Sequence, residues 1–260
     1  MVLSILQANN LRSTMGQPIP TVIHPLADRG CHLRAGEVSL WGAGSGTGKS
    51  VLVHWIATYA GVPALYFSAD SNDATMRMRT GAMLSGLPQA EVWEQLEAGQ
   101  GPALAALSAT AHISWVFDSS PTLEDIEQEV AAFHTAQGAF PRLIVVDNLR
   151  NVTGDSYGDE YRFWDEVVGA LHDMARFTEA HVAITHHVTG QYASGSTKIP
   201  LNGLENKVDK RAEVVITAFR PSEDIITMSI VKNRGGQARG DGTYQVAMGF
   251  DGARMQLAAT

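Results

Sequence analysis

Residues 42–50, GAGSGTGKS, decide how the rest of this chain is read. They follow a short apolar run, EVSLWG, and precede KSVLVHWIATYA, where Val51, Leu52, Trp55, Ile56 and Tyr59 recur at helical spacing. The pattern G-x-x-x-x-G-K-[ST] is met by Gly48, Lys49 and Ser50, with Ala43 in the place of the first glycine and Gly42 and Gly44 on either side of it. Small residues let the backbone N–H groups of Ala43, Gly44, Ser45, Gly46, Thr47 and Gly48 turn inward around an anion, and the positive N-terminus of the following helix adds to the attraction. In such a loop the lysine neutralises β- and γ-phosphates and the hydroxyl after it serves Mg²⁺. The expectation is a site for ATP and Mg²⁺ built on Lys49 and Ser50. A glycine-rich turn without function explains the glycines, but neither the Lys-Ser pair nor the strand and helix around it.

Outward from this stretch, strands and helices alternate. ALYFSA is strand-like and ends in the polar DSND; HISWVF is another strand; SPTLEDIEQEVAAFHTAQG opens on capping residues and keeps Ile126, Val130 and Phe133 on one helical face. RLIVVD reads as a strand buried on both faces, DEYRFWDEVVGALHDMARFTEA as a long helix with Trp164, Val167, Val168, Leu171, Met174 and Ala175 inward, and HVAIT as a strand. The rhythm then changes. AEVVITAFR, DIITMSIVK, GTYQVAMGF and ARMQLA are strands joined by short turns, among them the hairpin signal Asp251-Gly252. The predicted fold is one α/β domain over residues 25–260, a mostly parallel central sheet flanked by helices and extended by antiparallel C-terminal strands. Residues 1–24, polar and broken by prolines, read as a loose arm.

The chain has 260 residues, 45% of them apolar and 18% charged, with a net charge of −8. Such a composition excludes a disordered chain and a sequence-indifferent basic coat for nucleic acid. Its longest apolar runs are too short to span a bilayer, no basic leader opens it, and Cys31 is its one cysteine; the expectation is a cytoplasmic protein without a membrane partner. The positive charge is local. Residues 186–239 hold eight Lys+Arg and five Asp+Glu, a net of +3, which leaves −11 for the remainder. A solvated face and an anion-binding surface fit this cluster equally well.

Two acidic residues fall at the ends of strands. Asp147 closes LIVVD, where a carboxylate can hold the metal shell opposite the phosphate loop, or simply cap the next turn. Asp70 closes YFSAD, where it can orient an attacking water or cap the helix DATMRMRTGAML, a role equally open to Asp73.

In content and order these motifs resemble the RecA-like motor core of the DnaB-type hexameric replicative helicases, including the small phage and plasmid members. The resemblance runs from HLRAGEVSLWGAGSGTGKS to ARMQL. It implies a homohexameric ATPase that moves along or unwinds DNA in replication. The family carries Glu where Asp70 stands, and commonly a γ-phosphate-sensing Gln where HVAIT ends in His186; the pair His186-His187 looks like that of some plasmid members. Adjacent histidines on a strand point to opposite faces, which argues against a metal pair. VKNRGG looks like the stretch in which Lys232 and Arg234 reach the neighbouring subunit's ATP, and their i, i+2 spacing puts both on one side of a strand. Cations on an edge strand, there to discourage aggregation, are the plainer alternative. The glycine-rich segment TGQYASGSTKIPLNGLENKVDKR matches the family's loop facing nucleic acid, with Lys198, Lys207, Lys210 and Arg211 as expected contacts to single-stranded DNA. Arg150 and Arg162, set among acidic residues, form a weaker second candidate.

Rival readings keep the fold and change the task. A RecA- or RadA-like recombination ATPase assembles on DNA without unwinding it, and a nucleotide-gated assembly switch needs no nucleic acid. A small-molecule kinase gives no role to KNRGG, and a nuclease rests on a lone Glu205-Asn206-Lys207.

Overall fold

A computed structural model describes residues 14–154 and 159–259. Its sheet has nine strands: β1 (Val38–Ala43), β2 (Ala64–Ser68), β3 (Ile113–Val116), β4 (Leu143–Asp147), β5 (His181–His186), β6 (Val214–Ser222), β7 (Ile225–Asn233), β8 (Gln245–Asp251) and β9 (Gln256–Ala259). Their order across the sheet is β3-β2-β4-β5-β1-β6-β7-β8-β9. The first six are mutually parallel. β6 belongs to this parallel set, pairing with β1, so the antiparallel extension begins one strand later than the short turns implied. The connection from β5 to β6 crosses over β1 without an α-helix. The Asp251-Gly252 signal does mark the β8–β9 hairpin, but Asp251 pairs with Gln256 across a four-residue connection, with Met255 at φ 54°.

Helices cover both faces. A single turn, α1 (His24–Ala27), precedes the sheet; α2 (Lys49–Tyr59), α3 (Asp73–Ser85), α4 (Gln89–Glu97) and α5 (Pro102–Ala106) follow, then α6 (Leu123–Gln137) and α7 (Glu160–Thr178). The ends are set by local chemistry. Thr122 and Asp125 form a reciprocal capping box at α6, which ends at left-handed Gly138. Asp159 caps α7 by accepting from the Arg162 N–H at 3.0 Å. Two apolar layers result, one holding Trp41, Leu52, Tyr66 and Ile216, the other Leu40, Ile144, Trp164 and Leu171. The central strands therefore bury both faces, as their continuous apolar runs require.

Helix α2 departs from its expected single apolar stripe. Val53, His54, Ala57 and Thr58 are buried beside Val51, Leu52 and Ile56, while Tyr59 is exposed and Trp55 only half-buried. The helix is enclosed by the sheet and by α3. There the His54 ring meets Thr80 Oγ1 at 2.9 Å, and the Tyr59 hydroxyl donates to the Met83 carbonyl at 2.7 Å. Burial pushes the His54 pKa down to about 3, so the ring is neutral.

Of the expected arm, residues 1–13 lie outside the described residues. Residues 14–23 pack on the sheet: Ile19 and Ile23 are buried in the core, and the Ile19 N–H donates to the Leu33 carbonyl at 2.8 Å. Prolines at 18 and 20 break regular structure without preventing burial of the isoleucines between and after them. Cys31 is also buried, and its thiol pKa is raised to about 12.

Candidate nucleotide site and the adjoining basic segment

Residues 44–48 turn from β1 into α2, and Gly48 at φ 113° makes the final turn in a conformation that side-chain-bearing residues rarely adopt. Lys49 and Ser50 open the helix, with Lys49 only 7% exposed. Across the carboxyl ends of β4 and β5, Asp147 is the focus of three hydroxyl groups. Ser50 donates to Oδ1 at 3.0 Å, Thr185 to the same oxygen at 2.6 Å, and Tyr66 to Oδ2 at 3.0 Å. Burial raises the Asp147 pKa, opposed by these three hydrogen bonds and by the charge of Lys49. Asp147 thus does not cap the following turn. Asn148 does that, accepting from the Arg150 N–H at 2.8 Å.

Asp70 is exposed, and its Oδ2 accepts a hydrogen bond from the Asn148 side-chain amide. It is not the cap of α3, and nor is Asp73. Asn72 holds that position, accepting from the Thr75 N–H at 2.9 Å, while Asp73 pairs with Arg77.

His186 is fully buried, 6.5 Å from the Trp164 ring in the apolar layer facing α7. Its Nε2 donates to the Glu205 carbonyl at 3.1 Å, Nδ1 has no hydrogen-bond partner, and desolvation takes its pKa down to about 4. His187 is half-buried and within reach of the charges of Lys49, Glu205, Arg150 and Asp70. The second histidine of the pair is therefore also close to the phosphate loop. The sequence signal for it is Thr185, which shares its side of the strand and binds Asp147.

The β5–β6 crossover touches the phosphate loop from outside. A Cβ on Gly44 would lie 2.5 Å from the Ala193 carbonyl oxygen, and one on Gly195 would overlap Thr47 Oγ1. Only glycines permit this approach. Beside it a hollow of about 610 Å³ opens between Ser45, Gly46, Thr47, Gly195, Arg220 and Glu223. The Arg220 guanidinium sits 5.0 Å from the centre of the Phe250 ring.

The basic residues are less concentrated than their sequence spacing implied. Lys198 and Lys207 are exposed. Lys207 and Lys210 line a shared hollow of about 640 Å³ together with Asp209 and Asp241. Lys210 bonds the Tyr161 hydroxyl and Arg211 pairs with Asp165 at 3.2 Å, both partners on α7. Of the weaker candidate, Arg150 pairs with Glu205 and Arg162 with Glu166; residues 155–158 between them lie outside the described residues.

Lys232 and Arg234 do lie on one side of β7, but β7 is an inner strand between β6 and β8, so protection of a sheet edge does not explain them. Lys232 Nζ donates to the carbonyls of Asp209 at 2.5 Å and Lys210 at 3.2 Å. Arg234 donates to the Lys210 carbonyl at 3.1 Å and to Glu213 Oε1 at 3.2 Å.

A phosphate loop, a buried carboxylate on a neighbouring strand and a six-stranded parallel sheet define a P-loop NTPase fold. The AAA domain family model matches residues 15–191, and the chain belongs to that family. Two relatives carry the name Gene 65 protein. That of Mycobacterium phage L5 is 36% identical over 258 residues, covering 96% of each chain, and that of Mycobacterium phage D29 is 37% identical over 222 residues, covering 83% of this chain and 96% of its own. The fold is that of the RecA-like motor core of DnaB-type helicases. One solved ATPase domain of this kind superimposes with a TM-score of 0.79 at 13% identity, covering 98% of this chain and 96% of its own. A DnaB-like replicative helicase, solved in a study of its interactions with primase, gives 0.78 at 13% identity over 98% and 66%. Among the described residues, no helix is long and apolar enough to cross a membrane.

Proposed function

We propose that this protein is a phage-encoded, Mg²⁺-dependent ATPase that assembles as a homohexameric ring on single-stranded DNA in the host cytoplasm and moves along or unwinds DNA in replication. The observation that carries the ATPase reading is the convergence of Lys49, Ser50, Thr185 and Tyr66 on buried Asp147, beside a loop whose glycines leave its backbone open to an anion. A hydroxyl and a carboxylate 3.0 Å apart are a donor set that suits Mg²⁺. When bound, the ion bridges β- and γ-phosphate oxygens and offsets their charge. Lys49 places a fixed charge against those phosphates, and Thr185 and Tyr66 hold the Asp147 carboxylate in one orientation. Water attacks the γ-phosphorus, the β–γ bridging P–O bond breaks, and ADP and inorganic phosphate leave. Asp70, tethered to Asn148, orients that water, and His186 or His187 senses the γ-phosphate at the end of β5. Lys232 and Arg234 complete the neighbouring subunit's site, and Lys198, Lys207, Lys210 and Arg211 meet the DNA backbone.

The partnering of Lys210 and Arg211 with α7 favours a second reading, an assembly ATPase of the recombination or switch type. One experiment separates them: ATP turnover measured with and without single-stranded DNA, on protein whose oligomeric state is recorded in the same samples, alongside strand separation on a forked duplex. Stimulation by DNA with unwinding supports the motor. Stimulation without unwinding supports the recombination type, and no response to DNA supports the switch. No turnover under any condition overturns the proposal.

A further inference from the structure

Glu213 is a residue that neither the motif pattern nor the phosphate site accounts for. It is only 13% exposed in its side chain, at the entry to β6, and it holds three elements together. Its Oε2 accepts from the Val38 N–H at 2.9 Å, fixing the carboxylate against the start of β1. Its Oε1 faces Arg234 Nη1 at 3.2 Å and His172 Nε2 at 3.4 Å. Its own carbonyl accepts from the Arg234 N–H at 2.9 Å. Arg234 is thus gripped at its backbone and at its guanidinium by one residue, with the Lys210 carbonyl as a third anchor at 3.1 Å.

An arginine free to rotate loses rotamer freedom when it is fixed, and a neighbour that fixes it beforehand removes that loss from the binding step. A guanidinium has five N–H donors, and the contacts to Glu213 and Lys210 use two, leaving three for an outside anion. We infer that Glu213 is a positioning residue for Arg234: it pre-orients the guanidinium so that its remaining donors are presented to an anionic partner, the phosphate chain bound by the adjoining copy. The inference rests on the trans role proposed above. It also ties Arg234 to the basic segment, since the third anchor is the backbone of Lys210, a residue proposed to meet DNA.

The test is a double-mutant cycle on the assembled protein, using Glu213→Gln, Arg234→Ala and both together. Gln keeps an oxygen for the Val38 N–H while removing the charge opposite Arg234, and Glu213→Asp, which keeps the charge on a shorter side chain, guards against a folding artefact. The expected result is a fall in kcat of about tenfold in Glu213→Gln, with KM for ATP and ring size unchanged and partial recovery in Glu213→Asp. The double variant should turn over no more slowly than Arg234→Ala alone, because a residue acting through Arg234 has no effect once it is gone. Additive losses, or a Glu213→Gln enzyme with parental kcat while Arg234→Ala collapses, overturn the inference and leave the trans reading standing. Parental turnover in Arg234→Ala removes both.

Discussion

The two ends of the functional surface are built on opposite plans. Around Asp147 the polar groups are mutually hydrogen-bonded and held by the central strands of the sheet and the start of α2. Around residues 198–213 and 232–234 most charges are exposed, and they are held by carbonyl oxygens and surface carboxylates on a crossover without α-helix. The first region is already arranged for a small anion of fixed shape. The second must exchange its present partners for others, which suits contacts with a second chain or a long polyanion. Preorganisation supports chemistry, whereas exchangeable pairing supports regulated contact.

The contrast breaks most directly at Lys49. Lys49→Ala should abolish ATP turnover, a loss of well over about a thousandfold, because among the described residues no other lysine or arginine is buried at that end of α2. Turnover within a few fold of the parent, in a phosphate-release assay, removes the assignment of the rigid region. Arg234→Ala should lower turnover by roughly 10³-fold while nucleotide binding and assembly persist. Mixed with Lys49→Ala subunits it should recover activity, because one interface order then joins an intact lysine to an intact arginine. Mixed rings that stay silent at every ratio place Arg234 outside the neighbour's site.

Smaller effects sharpen the comparison. Replacing Lys198, Lys207 and Lys210 together should weaken binding to single-stranded DNA and flatten its log–log salt dependence by about 0.7 for each phosphate that is no longer neutralised. An unchanged slope in fluorescence anisotropy titrations shows that these residues touch no phosphate. Gly195→Ala lies where the two regions meet. With its backbone at φ +63° and a new methyl driven into Thr47 Oγ1, it should cost about 1–3 kcal/mol of stability and weaken ATP binding as the phosphate loop shifts. A melting temperature and ATP affinity equal to the parent's, by calorimetry, show that the crossover does not brace the loop.

The rigid region is largely legible in the sequence because its signals are local. A strand, five small residues and Lys-Ser lie within about a dozen positions, and LIVVD carries its burial in its composition. The flexible region is legible as composition only. That Lys210 faces Tyr161, Arg211 faces Asp165 and Arg234 faces Glu213 depends on pairings across 49, 46 and 21 residues, which no local pattern encodes. The same limit explains α2, whose enclosure by α3 buries a histidine and a threonine that a single-face reading turns outward, and residues 14–23, where two isoleucines outweigh the prolines. Glu213 carries no motif at all. Its position beside Arg234 follows only from the pairing of β6 with β7, which sets Val214 opposite Asn233.

Cys31 has a practical consequence. A thiol that is buried and titrates near pH 12 is almost wholly un-ionised at neutral pH, and the thiolate is the form that reacts with maleimides and iodoacetamides. The chain therefore comes close to a cysteine-free scaffold without any substitution. A single cysteine introduced at exposed Ser196, next to the Gly195 contact and two residues from Lys198, would carry a dye with little background labelling. The emission of that dye would follow the crossover as it meets nucleotide on one side and DNA on the other.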